Sequence, residues 1–393
     1  MQIKDDLIAR YVLHKHHLLE DSQTESILQV VNDVVALHAT SVGTPYLSLF
    51  ARVKNFRRNQ LDEELYVKRN LIRLELMRGT LFIVSTELAP MLFQATRLSK
   101  PQLLKVIQNW GIHIDEYRTL AKRLMDVLKD GEKTLQEIKK VLPREIVKSV
   151  SFKTGKQIYK ATNVSIVLRV LARRGVVITE KIPGTLSITK GNRFALLKEK
   201  YPKLNLNSVG KDEAKAMLVK SYIKAFGPVM EKDITWWTGF RTTEIKKILA
   251  SMERELFHVE INGFEGNYLM LKSDYEGLIK FKPSFEHLAM LLPFEDPYTK
   301  GYKVRNRLIK SSLEKKVYIG GGVQPTILLN GKIIGTWNRN IEEGRGPIKL
   351  NFFSHVKKNL EQKFIEKAKA IGKVMSNQEV NIEVAYTALE GFA

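Results

Sequence analysis

An α+β fold is predicted, in which three successive helical units, each closed by a short hairpin, precede a β-rich C-terminal domain. Three observations predict it. A helix, helix, hairpin order recurs along residues 1–282, and short strand-like runs separated by turn signals dominate residues 283–393. The composition, 44% hydrophobic and 27% charged over 393 residues, is that of a chain able to bury several cores.

The first unit, residues 1–110, is the least regular. Helical periodicity covers residues 5–19 and 25–39, and Leu81-Phe-Ile-Val84 reads as a strand. The second unit, residues 111–205, is clearer. Thr134-Leu-Gln-Glu137 is a capping box that opens a helix over 135–141. Asn163 is placed to cap the next helix, and Gly175 to stop it. Strands are expected over 176–179 and 186–189, joined by Pro183-Gly184. In the third unit, residues 206–282, an amphipathic helix over 211–226 is broken by Gly227-Pro228. A second helix spans 230–237, and Thr243 caps a third over 244–255. A hairpin then turns at Asn262-Gly263. Residues 283–393 carry strands near 317–319, 324–329, 332–337 and 348–352, with a type I′ signal at Asn330-Gly331. A Lys-rich helix over 355–375 and a strand over 380–384 follow, so an antiparallel β-domain with one covering helix is expected.

Helix, helix, helix and two-stranded wing is the winged-helix order, which sets one helix into a major groove while its neighbour braces the backbone. The formal net charge of +22 favours a polyanionic partner, and duplex DNA fits it. The chain has no cysteine, which excludes disulfides, zinc–thiolate sites and a cysteine nucleophile. His14, His16 and His17 lack carboxylate partners at ligand spacing, so no metal is expected. Gly320-Gly-Gly-Val323 lacks the Gly-Lys-Ser/Thr ending of a P-loop, so no nucleotide or other cofactor is expected. No apolar run reaches membrane-spanning length and no signal peptide is apparent, so a cytoplasmic location without membrane contact is expected. With no leucine-zipper run, a monomer is expected.

Three stretches are specific enough to carry a resemblance. His38-Ala-Thr-Ser-Val-Gly-Thr-Pro-Tyr-Leu-Ser-Leu-Phe-Ala-Arg52 is followed by Leu74-Glu-Leu-Met-Arg-Gly-Thr-Leu-Phe82. Tyr222-Ile-Lys-Ala-Phe-Gly-Pro228 comes next, with Asp233 and Trp236 beyond it. Last, Leu292-Pro-Phe-Glu-Asp-Pro-Tyr-Thr-Lys-Gly-Tyr-Lys-Val-Arg-Asn-Arg307 is joined to Gly331-Lys-Ile-Ile-Gly-Thr-Trp-Asn-Arg339. This ordered set resembles the AlkZ/YcaQ-type winged-helix DNA glycosylases over nearly the whole chain. The resemblance implies three tandem winged-helix units in a C-shape and a C-terminal β-domain. It also implies hydrolysis of the N-glycosidic bond of alkylated or crosslinked purines without metal or cofactor. That family assigns its chemistry to a Gln-x-Gln or Gln-x-Asp pair; here His38 and Thr40 stand in its place.

An alkylated purine leaves with its positive charge neutralised, so the protein's task is to position water beside an oxocarbenium-like sugar. A neutral His38 suits the proton of that water, and Thr40 suits its orientation. Histidine, with an ordinary pKa of about 6.5, is mostly neutral near pH 7. Ile27, Val31, Val34 and His38 also share helical spacing, which makes His38 a core-edge residue on the alternative reading. Tyr46, Arg52, Arg78 and Thr80 lie in the same motifs and are candidates to face DNA; Arg78 also suits an internal ion pair. Lys300, Lys303, Arg305, Arg307 and Arg339 are candidate phosphate contacts, or a solvated charged face. Trp236, Trp237 and Trp337 are expected to pack in the core. Three functions therefore stand: a monofunctional DNA glycosylase, a non-catalytic DNA-binding regulator or lesion sensor, and an RNA-binding protein.

Overall fold

The strand Gln2–Ile3 runs parallel to Leu256–Ile261, which pairs antiparallel with Phe264–Leu271. The N terminus thus completes a sheet built from the third helical segment. The computed structural model describes residues 2–154, 157–181, 192–284, 286–338, 346–376 and 379–387. The chain forms two compact units, one of Met1–Leu61 with Ala216–Ala393, the other of Asp62–Lys215.

In the first unit the helix Asp5–Lys15 buries Ile8, Val12 and Leu13. The helix expected over 25–39 is shorter, Ile27–Asp33. Val35 takes a left-handed φ of 70°, which no helix continues, and Leu37–His38 is a two-residue strand. The helical stripe that ended on His38 is therefore broken before it reaches that residue. The helix Gly43–Phe50 follows, buried over seven of its residues.

The helices Lys211–Phe226, Glu231–Thr238 and Thr242–Ser251 precede the hairpin, as the periodicity predicts. The third is capped differently: the N–H of Arg241, not a residue at Thr243, is held by the Glu244 carboxylate at 3.1 Å. The C-terminal sheet has five strands, in the order Ala289–Leu292, Thr326–Leu329, Lys332–Asn338, Ile348–Phe352 and Ile382–Tyr386. It is not wholly antiparallel, because the last two strands run parallel. The intervening helix Lys358–Ser376 turns the chain back to start the edge strand from the same end. Its Leu360, Phe364, Ala368, Ile371 and Met375 form one buried stripe. Asn330 and Gly331, with φ of 52° and 79°, make the expected turn.

The second unit holds the hairpin Leu71–Glu75 with Leu81–Ser85 and a helical core around Leu120, Leu124, Val167, Leu168 and Leu171. Burying each such side chain contributes about 1.5–3 kcal/mol. The capping box of Thr134 and Glu137 forms, opening Leu135–Val141. The helix Asn163–Arg173 is capped by Thr162 rather than Asn163. Asn163 instead turns inward to Glu116 and the Ile146 carbonyl. An unforeseen hairpin, Ser149–Thr154 with Gln157–Thr162, stands before that helix. The strand Val177–Lys181 pairs with Asn192–Leu196. The expected turn at Pro183-Gly184 and strand over 186–189 lie outside the described residues.

Candidate functional site

The loop that leaves Ala289–Leu292 carries two adjacent acids, Glu295 and Asp296, and both are buried. Trp337, itself buried, fixes the start of the loop by donating its indole N–H to the Leu292 carbonyl at 2.8 Å. Thr44 donates its hydroxyl to the Phe294 carbonyl at 2.8 Å, tying the loop to the helix Gly43–Phe50.

Asp296 faces that helix. Arg52 grips it in a two-pronged pair, with N–O distances of 2.8 and 2.7 Å, and Ser48 donates a third bond at 2.9 Å. Arg52 and Asp296 are both 0% exposed, so the charges are fully desolvated and offset one another, while the Arg52 Nε is buried without a hydrogen-bond partner among the described residues. The remaining carboxylate valence accepts the Tyr298 N–H at 3.0 Å and starts the turn Pro297–Lys300.

Glu295 faces the other way. Its Oε2 lies 3.4 Å from His38 Nε2 and 2.8 Å from Lys300 Nζ. Its Oε1 accepts the Val323 N–H at 2.6 Å and a second contact from Lys300 at 3.0 Å. Lys300 also donates to the Gly321 carbonyl at 2.6 Å. The glycine run at 320–322 therefore encloses an internal ion pair. Glu295 itself has a φ of 57°, a conformation that costs a residue with a side chain on the order of 1 kcal/mol. His38 is 7% exposed, with Phe294 edge-on at 6.5 Å, while Thr40 is exposed in the turn that follows. The site is a histidine beside a held carboxylate, with an exposed threonine two residues further along the chain.

The expected DNA-facing residues divide. Arg52 is sealed inside and committed to Asp296, so its guanidinium is not open to a phosphate. Tyr46 is also buried, with Arg58 over its ring at 5.9 Å. Lys300 serves Glu295. Arg305 pairs with Glu314 at 2.9 Å and stacks on Tyr318 at 3.7 Å; Arg307 pairs with Asp5 at 2.7 Å. These cations hold the fold, a role their spacing in sequence does not reveal. Lys303 is exposed, its backbone N–H bound to Asp233. Burial pushes the Asp233 carboxyl up from its ordinary range, against three backbone N–H donors that lower it. Arg78 is exposed in the turn Met77–Gly79 of the second unit, and Thr80 donates its hydroxyl to the Met77 carbonyl at 3.0 Å. Arg339 lies outside the described residues. Trp237 packs with Tyr222 and Phe226, whereas Trp236 is half-buried with Lys300 and Arg305 over its ring.

The sequence reading missed Glu295. It took only the cations from the 292–307 segment, although a Glu-Asp pair flanked by two prolines was itself a signal. Among the described residues no three His, Asp or Glu side chains are grouped to hold a metal ion, and no helix is long and apolar enough to cross a membrane.

The fold is similar to that of the Streptomyces sahachiroi DNA glycosylase AlkZ, with a TM-score of 0.74 and 19% identity, over 98% of this chain and 100% of that one. No curated protein matches the sequence. The model of the AlkZ-like family, described as DNA glycosylase AlkZ-like, matches residues 31–374, and the chain belongs to that family.

Proposed function

We propose that the protein is a monofunctional DNA glycosylase that hydrolyses the N-glycosidic bond of alkylated or crosslinked purines in duplex DNA. Tandem winged-helix units would carry the duplex, its phosphates drawn by the +22 charge. The observation that carries the reading, beside family membership, is the meeting of His38, two residues before the exposed Thr40, with the buried carboxylate of Glu295. A neutral His38 takes the proton of a water whose oxygen bonds to C1′ of the sugar. The C1′–N bond breaks with its electron pair moving to the base, which neutralises the base's charge. No strong acid is needed for such a leaving group, and none is invoked. Thr40 orients the water by a hydrogen bond.

The replacement of the family's glutamine pair by His38 and Thr40 favours a second reading, binding without cleavage. One assay separates the two. The protein is incubated with duplex DNA carrying 7-methylguanine or a purine crosslink, and free base and alkali-labile sites are measured. Release of base with an abasic site left behind is expected. Tight binding with no release from any such duplex would leave the non-catalytic reading.

A further inference from the structure

We propose that Glu295 is a positioning residue for His38: it accepts the Nε2 proton of the imidazole, fixes the ring, and steadies the imidazolium formed when His38 takes a proton from water. For its rate consequences this rests on the glycosylase reading; for its hydrogen bond it does not.

The motif His38-Ala39-Thr40 contains no carboxylate, and the loop after Ala289–Leu292 brings one to 3.4 Å from the imidazole. That carboxylate cannot wander. Lys300 spans both oxygens, and the Val323 N–H holds one of them. Lys300 also offsets the carboxylate's charge, so the group is buried as a pair rather than as a lone ion. The hairpin Tyr318–Val323 contributes only backbone, the Gly321 carbonyl to Lys300 and the Val323 N–H to Glu295. On the far side Asp296 and Arg52 neutralise one another. Glu295 and Lys300 are thus the charged groups that face His38 from this loop. The left-handed backbone of Glu295 adds a second indication, since strain at a residue with a side chain persists where the surroundings demand that side chain.

With Nε2 protonated toward Glu295, Nδ1 carries the lone pair. Nδ1 is buried in the unbound protein, so the attacking water reaches it only after a local movement on DNA binding.

The test uses the full chain labelled with 15N, near pH 8, where a histidine is mostly neutral. The His38 Nε2–H should appear as a downfield resonance protected from exchange. It should be lost in Glu295→Ala and kept in Thr40→Ala. In single-turnover base release, Glu295→Gln should fall about 10²-fold, within the range of positioned acid–base groups, with duplex affinity unchanged. Glu295→Asp, which keeps the charge and tolerates a left-handed backbone, should regain part of that loss. A wild-type protein without the protected resonance would overturn the proposal, as would its survival in a folded Glu295→Ala variant. If that variant does not fold, the resonance is read in Glu295→Gln, where it should move; an unmoved resonance with an unchanged rate overturns the proposal. If the wild type releases no base, the glycosylase reading fails while the resonance still decides the pair.

Discussion

Glu295 and Asp296 are neighbours in the chain and opposites in environment. Asp296 is sealed against the helix Gly43–Phe50, with its bonds supplied by Arg52, Ser48 and a backbone N–H. Glu295 sits on a left-handed backbone against a histidine, a lysine and a glycine-rich hairpin. The first arrangement is optimal for holding a loop still. The second spends conformational energy to keep a carboxylate beside an imidazole. The contrast teaches that the loop has an anchored side and, on the proposed reading, a reactive side, and substitutions on the two should fail in different ways.

The largest effect belongs to the anchored side. Arg52→Ala leaves Asp296 buried without its counter-charge, which costs about 3–5 kcal/mol. Against a typical total of about 5–15 kcal/mol, that is a large share of the folding free energy. Denaturant unfolding monitored by circular dichroism should show it. A loss under about 1 kcal/mol would mean that water or another cation replaces Arg52, and the anchor argument would be wrong.

On the reactive side His38→Ala should cost less stability than Arg52→Ala, because Glu295 keeps Lys300, and reduce single-turnover release of an alkylated purine by about 10²–10⁴-fold. Binding to undamaged duplex should be kept, since phosphate contacts dominate affinity. Release that survives the substitution would keep the enzyme and discard His38 as its proton acceptor.

Much of the scaffold that carries both sides could be read from local signals. Capping residues announced Leu135–Val141, Gly227-Pro228 ended Lys211–Phe226, and Asn330-Gly331 marked its turn, because each of these is decided within a few residues. What escaped was decided at long range. His38 shares helical spacing with Ile27 and Val31, yet tertiary packing puts Val35 in a left-handed conformation and frees His38 from that helix. The hairpin of Ser149–Thr154 with Gln157–Thr162 has no such local signal, since a two-stranded ribbon need not alternate strictly. Of the cations at 300, 305 and 307, offered as phosphate contacts or a solvated face, only Arg307 has its acid, Asp5, far away in sequence; Glu295 and Glu314 lie near Lys300 and Arg305 and are local partners.

The anchored side should also be acid-sensitive. His16 is buried, its Nε2–H donating to the Ala225 carbonyl at 3.1 Å, with Phe226 and Tyr298 edge-on to the ring. Burial, and then the charges of Arg52 and Lys15, hold its pKa well below the ordinary 6.5. The unfolded chain therefore takes a proton at this residue where the folded chain does not. Stability is fully present above about pH 6.5 and falls below it, by up to about 1.4 kcal/mol per pH unit, until the folded pKa is reached. Melting followed between about pH 7 and pH 5 should show the fall, and His16→Gln should flatten it. An equally steep fall in the variant would assign the acid sensitivity to other groups.

The smallest effect separates the two sides most finely. Thr40 is exposed, and on the proposed reading its hydroxyl gains a fixed role only when DNA covers it. A neutral hydrogen bond that orients water contributes about 0.5–1.5 kcal/mol, so Thr40→Ala should slow base release roughly 2- to 10-fold. Thr40→Ser should restore the wild-type rate, because it keeps the hydroxyl; Thr40→Val, which keeps the shape, should not. Stability should not move in any of the three, in contrast to Arg52→Ala. If Thr40→Val is as active as wild type, the hydroxyl does not hold the water, and the reactive side reduces to His38 and Glu295. If Thr40→Ala instead unfolds the protein, the turn belongs to the anchored side, and the division between the two carboxylates is drawn in the wrong place.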